Sequence, residues 1–95
     1  MAEENSTELV HVGFGNFLAV NRALAIVTPA ASPIQRLIRE AKRRGDIIDC
    51  TSGRRTKAVA ILDNGKVMLA AITPEALAGR VAAGQAGRVL LAQGD

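Results

Sequence analysis

The spacing of apolar positions changes along the chain, and each change marks an element. Leu9, Val10 and Val12 predict a first strand, and Gly13-Phe14-Gly15-Asn16 predicts the turn after it. Residues 17–28 are apolar except at Asn21 and Arg22. They predict a strand over Ala23–Val27, with Asn21 and Arg22 at a bend or at its entry. Pro29 ends that segment. Ser32-Pro33-Ile34-Gln35 predicts a helix start: Ser32 caps, Pro33 suits the first helical position, and Gln35 completes a capping box. Ile34, Leu37, Ile38 and Ala41 then share one face, with Arg36, Arg39 and Arg43 opposite. Gly45 is the natural stop.

Asp46–Thr51 reads as a short strand, and Ser52-Gly53-Arg54-Arg55 as a turn. Two further strands, Thr56–Leu62 and Lys66–Ile72, flank Asp63-Asn64-Gly65, a hairpin signal. Thr73-Pro74-Glu75 opens a second helix with Thr73 as cap and Leu77, Ala78 and Val81 as its apolar stripe. The predicted fold class is α+β, a small and mostly antiparallel sheet with two helices. Residues 1–7 are expected to be a flexible start, 8–83 the single domain, and 84–95 a weakly structured tail.

The hairpin strands are apolar on both faces. Val59, Ile61, Val67 and Leu69 look one way; Ala58, Ala60, Leu62, Met68, Ala70 and Ile72 look the other. One helix covers one face, and a partner subunit is the expected cover for the second. The alternative is that the second helix covers it within the monomer. A homo-oligomer is therefore expected.

Composition narrows the function classes. Ninety-five residues make one domain, and 48% hydrophobic against 22% charged residues excludes a disordered chain. No apolar run approaches a membrane span. The acidic and polar first ten residues do not form a signal peptide, and a lone Cys50 excludes a disulfide framework. A cytoplasmic setting is expected. Phe14 and Phe17 are the only aromatic residues, which disfavours recognition of single strands by base stacking. Charge is asymmetric. Residues 1–21 carry three acids and no Lys or Arg, whereas residues 22–57 carry nine basic residues against three acidic ones. Such a basic middle third suits a polyanion, although a solvated surface has the same composition.

No assembled chemistry is apparent. Gly13-x-Gly15 lacks the third glycine of a dinucleotide fingerprint and reads as a tight turn. His11 is the sole histidine and is remote in sequence from Asp49 and Cys50; it reads as a strand or surface residue, and Cys50 as a small buried hydrophobe. Asp46 and Asp49, three apart in a short strand, point to opposite faces and do not form a carboxylate pair. An enzyme, a cofactor and a metal are not expected. Gly53-Arg54-Arg55-Thr56 is the most informative local feature, offering two guanidiniums and a hydroxyl to phosphate oxygens beside a glycine that permits close approach. Its alternative is a solvated turn. Arg22 is a lone charge in an apolar stretch, which implies either a ligand or an ion pair with an acidic neighbour such as Asp49.

Taken in order, His11-Val12-Gly13-Phe14-Gly15-Asn16, Asn21-Arg22, Ile26-Val27-Thr28-Pro29, Ser32-Pro33-Ile34, Arg44-Gly45, Ile48-Asp49, Thr51 and Gly53-Arg54-Arg55-Thr56 resemble the RemA-type extracellular matrix regulators of bacteria. Ala58-Val59, Pro74-Glu75 and Arg80 continue the match, which spans roughly residues 8–82. The resemblance implies a DNA-binding transcriptional regulator of biofilm-matrix genes, cytoplasmic and nucleoid-associated. It implies a closed ring of about seven or eight subunits that binds or wraps duplex DNA. Carried over residue by residue, the DNA-contacting arginines fall on Arg22, Arg54 and Arg55, and a functionally sensitive proline on Pro33. Asn21, Gly53, Thr56 and Lys57 stand as supporting candidates. Two other readings remain: an RNA-binding module for structured RNA, and a structural ring whose arginines make subunit contacts.

Overall fold

A computed structural model describes residues 8–84; the expectations for residues 1–7 and for the tail beyond Gly84 lie outside the described residues. Strands β1 (Leu9–Gly13) and β2 (Asn16–Ala19) form an antiparallel hairpin, and a short 3-10 turn, Val20–Arg22, leads into β3 (Ala23–Val27). Helix α1 (Ser32–Arg44), β4 (Ile47–Asp49), β5 (Ala58–Leu62), β6 (Val67–Ala70) and α2 (Pro74–Gly84) follow. A four-stranded sheet has the order β3-β5-β6-β4. Its β3–β5 and β5–β6 pairs are antiparallel, and its β4–β6 pair is parallel. This is the expected α+β class with mostly antiparallel strands.

The hairpin β5–β6 sits at the centre, and its alternation divides the core in two. Val59, Val67 and Leu69 pack with Ile38 and Ala41 of α1, flanked by half-buried Ile34 and Leu37. Ala58, Ala60, Met68 and Ala70 pack on the other face against Val10, Val12 and Leu18 of the β1–β2 hairpin and Leu77 of α2. The register agrees with this division, since Val59 faces Leu69 and Ala60 faces Met68. The second face is therefore covered within one chain. The partner subunit expected there is not needed for it, and α2 shares the task with the β1–β2 hairpin. β2 has no signal of its own in the sequence, because Phe17-Leu18-Ala19-Val20 runs into the next apolar segment without a polar break, although only Leu18 and Val20 are buried.

Helix α1 connects two strands that lie at opposite edges of the sheet and run parallel to each other. It must cross over β5 and β6, a distance of about 14 Å at ~4.8 Å per strand. Thirteen residues of helix, about 20 Å, suffice. Its start differs in detail from the capping-box prediction. The N-cap is Ala31, no side chain caps it, and Pro33 is the second helical residue. The Ile34 and Gln35 N–H groups both donate to the Ala31 carbonyl, so Ser32 is already inside the helix. The Gln35 amide donates instead to the Pro29 carbonyl. The stop is as expected: Gly45 adopts φ 75° and donates to the Ala41 and Lys42 carbonyls, while Asp46 N–H donates to Ala41 at 2.8 Å. Thr73 caps α2 by accepting the Ala76 N–H at 3.1 Å. The Arg80 guanidinium donates to the His11 carbonyl at 2.7 Å and ties that helix to β1.

Leu77 has no exposure and is the main attachment of α2 to the sheet. Leu77→Ala should lower unfolding free energy by about 2–5 kcal/mol in urea denaturation. Phe17→Ala, at a side chain 58% exposed, should leave it nearly unchanged.

Candidate nucleic-acid interface

The topology dictates where the arginine-bearing loop lies. β4 is an edge strand and β5 is two positions away and antiparallel to it, so residues 50–57 must pass over the carboxyl end of β6. The loop is pinned to that end on both sides. Cys50 N–H donates to the Leu69 carbonyl at 2.9 Å, and Lys57 N–H donates to the Ala70 carbonyl at 2.8 Å. Between these anchors the Asp49 carboxylate accepts the Thr51 N–H at 2.9 Å and the Thr51 hydroxyl at 2.6 Å. Thr51 is buried. These bonds, the hydroxyl first and the N–H second, hold the Asp49 carboxyl below the usual carboxylate range. Ser52 at φ 53° and Gly53 at φ 79° are successive left-handed residues, and Arg54 N–H closes the turn on the Thr51 carbonyl at 3.0 Å. Gly53 is thus required by the turn itself.

This turn presents Arg54 and Arg55 outward, and the two diverge. The Arg54 guanidinium lies 4.8 Å from the centre of the Phe14 ring. Two segments far apart in sequence, Gly13–Asn16 and Gly53–Thr56, therefore meet in space. Phe14 itself has φ 57°, a conformation that costs a non-glycine residue roughly 1–2 kcal/mol. The Asn16 side-chain amide holds that turn by donating to the Gly13 carbonyl at 3.1 Å. Arg55 turns instead toward a cleft against α1, where Thr56, Lys57 and Lys42 join it.

Arg22 occupies the other end of the sheet. Ala23, which follows it, pairs with Leu62, whereas Arg55 lies just before Ala58 at the far end of the same strand. The separation is about one strand length, roughly 17 Å. The structure therefore brings Arg54 and Arg55 to one end and does not bring Arg22 to them. The partner of Arg22 is Asp63 in the β5–β6 turn, with Nε 2.8 and 3.0 Å from the two carboxylate oxygens, and not Asp49. The Asp63 N–H also donates to the Arg22 carbonyl at 2.8 Å. The ion pair is made through Nε, and the Arg22 side chain stays exposed. Asn21 beside it is exposed.

Sequence reasoning did not find Asp63 or Phe14 as supports for the arginines. It also did not place Lys42 beside Arg55. Each depends on a pairing across 13 to 41 positions that no local pattern encodes. The Asp49-x-Thr51 spacing was a readable signal for a side-chain-closed turn. His11, Asp49 and Cys50 do not share a site. The His11 ring packs at 5.2 Å on Phe17, Asp49 bonds Thr51, and Cys50 is in the core, where burial and then the Asp49 charge push its thiol up. Among the described residues no group of His, Cys, Asp and Glu could hold a metal ion, and no helix is long and apolar enough to cross a membrane.

Residues 9–81 match the model of the RemA-like family, described as extracellular matrix regulatory protein A-like. The chain belongs to the RemA-like family. A protein of Dehalococcoides mccartyi strain BAV1 is 50% identical over 82 residues, covering 86% of this chain and 85% of its own length. One from Synechococcus elongatus PCC 7942 is 53% identical over 73 residues, 77% of this chain and 84% of that protein. A third, from Caldicellulosiruptor saccharolyticus, is 48% identical over 81 residues, with 85% and 80% covered. Each bears the designation "Putative regulatory protein". Membership in the RemA-like family supports a regulatory role.

Asp49 anchors the RemA-like arginine loop, so Asp49→Ala should cost stability by about 1 kcal/mol. Its folded pKa is lowered, so its contribution is in place above about pH 4 and is lost as pH falls through the lowered value. Urea melts of wild type and Asp49→Asn between neutral and strongly acidic pH should therefore differ at neutrality and converge in acid.

Proposed function

We propose that this RemA-like protein is a transcriptional regulator that binds duplex DNA through Arg54 and Arg55, with Arg22 as a second contact on the same subunit. The observation that supports this most is the Gly53–Thr56 turn. It is fixed at its base by backbone bonds to β6 and by Asp49, yet it presents two arginines without a carboxylate partner among the described residues. A rigid turn with free guanidiniums suits phosphate oxygens, because little backbone order remains to be imposed on binding. The offset of Arg22, roughly one strand length, suits a contact at a separate phosphate of one duplex, not a second hand on the same phosphate. Few side chains are placed to read base edges, so sequence preference would come mainly from duplex shape and bendability. Asn21, Thr56 and Lys57 would add neutral and cationic phosphate contacts at the two ends. The regulated process is that of the family's description, extracellular matrix production.

The same reading includes assembly into a ring. With both hairpin faces covered in the chain, the support for self-association moves to the sheet edges. Among the described residues β3 and β4 have no strand on their outer sides, and each carries an exposed apolar residue, Leu24 at 71% and Ile48 at 40%. Two different edges on opposite sides of one subunit suit a head-to-tail contact, which closes into a ring when the rotation per subunit permits. A ring would repeat each arginine and add weak phosphate contacts by avidity.

The test is the binding of a bendable duplex as salt is varied. Arg54→Ala with Arg55→Ala should weaken binding and reduce the salt slope by roughly 0.9 for each phosphate no longer neutralised, with melting unchanged. Arg36→Ala, on the outer face of α1, should cost less. Unchanged affinity and slope in the double variant would refute the assignment. For assembly, light scattering should give a mass several times 9.9 kDa without DNA, and Leu24→Lys should lower it.

A further inference from the structure

A second feature of the surface is the cleft between α1 and the arginine loop. Its volume is about 510 Å³. The parallel strands β3 and β6 both finish here, separated by the amino end of β5, and clefts outside the carboxyl ends of such strands are common ligand positions. Ile38 and Leu69 form an apolar floor. Lys42, Arg55 and Lys57 line it, and no acidic residue does. Thr28, Thr56 and Thr73 add three hydroxyls.

The charge pattern is what makes the cleft unusual in this molecule. Elsewhere most described cations are engaged: Arg22 with Asp63, Arg43 with Glu40, Arg44 and Lys66 with Asp46, Arg80 with the His11 carbonyl, and Arg54 with the face of the Phe14 ring. Arg36 and Arg39 have no carboxylate partner among the described residues and line, with Glu40, Lys42 and Arg43, an open depression on the outer face of α1. The cleft differs from that depression in joining three cations without carboxylate partners, among the described residues, to an apolar floor and a lining with no acidic residue. Three positive charges exceed what one backbone phosphodiester neutralises. They match a group carrying two to three negative charges, a phosphate monoester or a diphosphate. The apolar floor and the volume leave room for an organic body attached to it. The absence of an aromatic ring in the lining argues against a stacked base as the main recognition element.

We infer that the cleft between α1 and residues 55–57 binds a phosphorylated small molecule, with Lys42, Arg55 and Lys57 holding the phosphate and the three threonine hydroxyls donating to its oxygens. Arg55 belongs to both surfaces. On the DNA-binding reading above, an occupied cleft competes with the duplex for that guanidinium, and ligand binding weakens DNA binding. The cleft itself does not depend on that reading.

Calorimetric titration of the full chain with inorganic pyrophosphate and with ribose 5-phosphate, in the absence of DNA, tests the site. Lys42 and Lys57 are both exposed, and Lys42→Gln with Lys57→Gln should leave thermal melting unchanged. The expected result is saturable binding that this double variant weakens by about ten- to hundred-fold, while Arg36→Gln does not. A duplex of about 20 base pairs, titrated separately, should lose less affinity in the Lys42, Lys57 variant, which gives up only the supporting Lys57 phosphate contact, than in the Arg54, Arg55 variant. Pyrophosphate and ribose 5-phosphate that do not bind, or bind both forms alike, would overturn the inference. So would a double variant that loses the duplex as strongly as the Arg54, Arg55 variant and binds neither small molecule, since the cleft would then be part of the duplex path. Failure of the DNA-binding reading shows up only in the duplex titrations and leaves the small-molecule arm intact.

Discussion

The structure depends on the requirement that the β5–β6 hairpin be dry on both faces. Ala58, Val59 and Ala60 on one strand and Val67 through Ala70 on the other are all buried, so two separate layers must be built around them from a short chain. α1 supplies one by crossing beneath the sheet, and the β1–β2 hairpin with α2 supplies the other. Burial of this apolar surface, at about 25 cal/mol per Å², is the main favourable contribution available to a domain of this size.

That arrangement also positions the candidate interface. Because α1 delivers the chain to the outer edge beside β6, the return to β5 has to arch over the end of β6. The arch is the Gly53–Thr56 turn. The covering hairpin brings Phe14 beneath Arg54, and the strand order sends Arg22 to the opposite end, against Asp63. Arginines that look like one group along the sequence thus stand at two separate places, held apart by the length of the central strands. The same crossing places Lys42 of α1 beside Arg55 and Lys57.

Much of this was legible from local pattern. The two helices, the Asp63-Asn64-Gly65 turn, the strand at Ala23–Val27 and the split of β5 and β6 into two apolar faces follow from periodicity and turn chemistry alone. What was not legible depended on tertiary pairing. β2 is a strand because β1 lies beside it, not because Phe17–Ala19 alternates. The helix starts at Ser32 because the Ala31 carbonyl takes the first bonds, which leaves the Ser32 hydroxyl without its expected role. The candidate residues Arg22, Arg54 and Arg55 came from residue type and family resemblance. Their separation into two ends came from strand order, which one sequence does not reveal.

The most direct measurement of the central claim is a hydrogen–deuterium exchange footprint of a bendable duplex on the intact protein. Protection should appear in two separated regions: the loop spanning Thr51–Lys57 together with the Gly13–Asn16 turn, and the segment around Asn21 and Arg22. Protection confined to the outer face of α1, around Arg36, Arg39 and Arg43, with both arginine regions exchanging as in the free protein, would contradict the account.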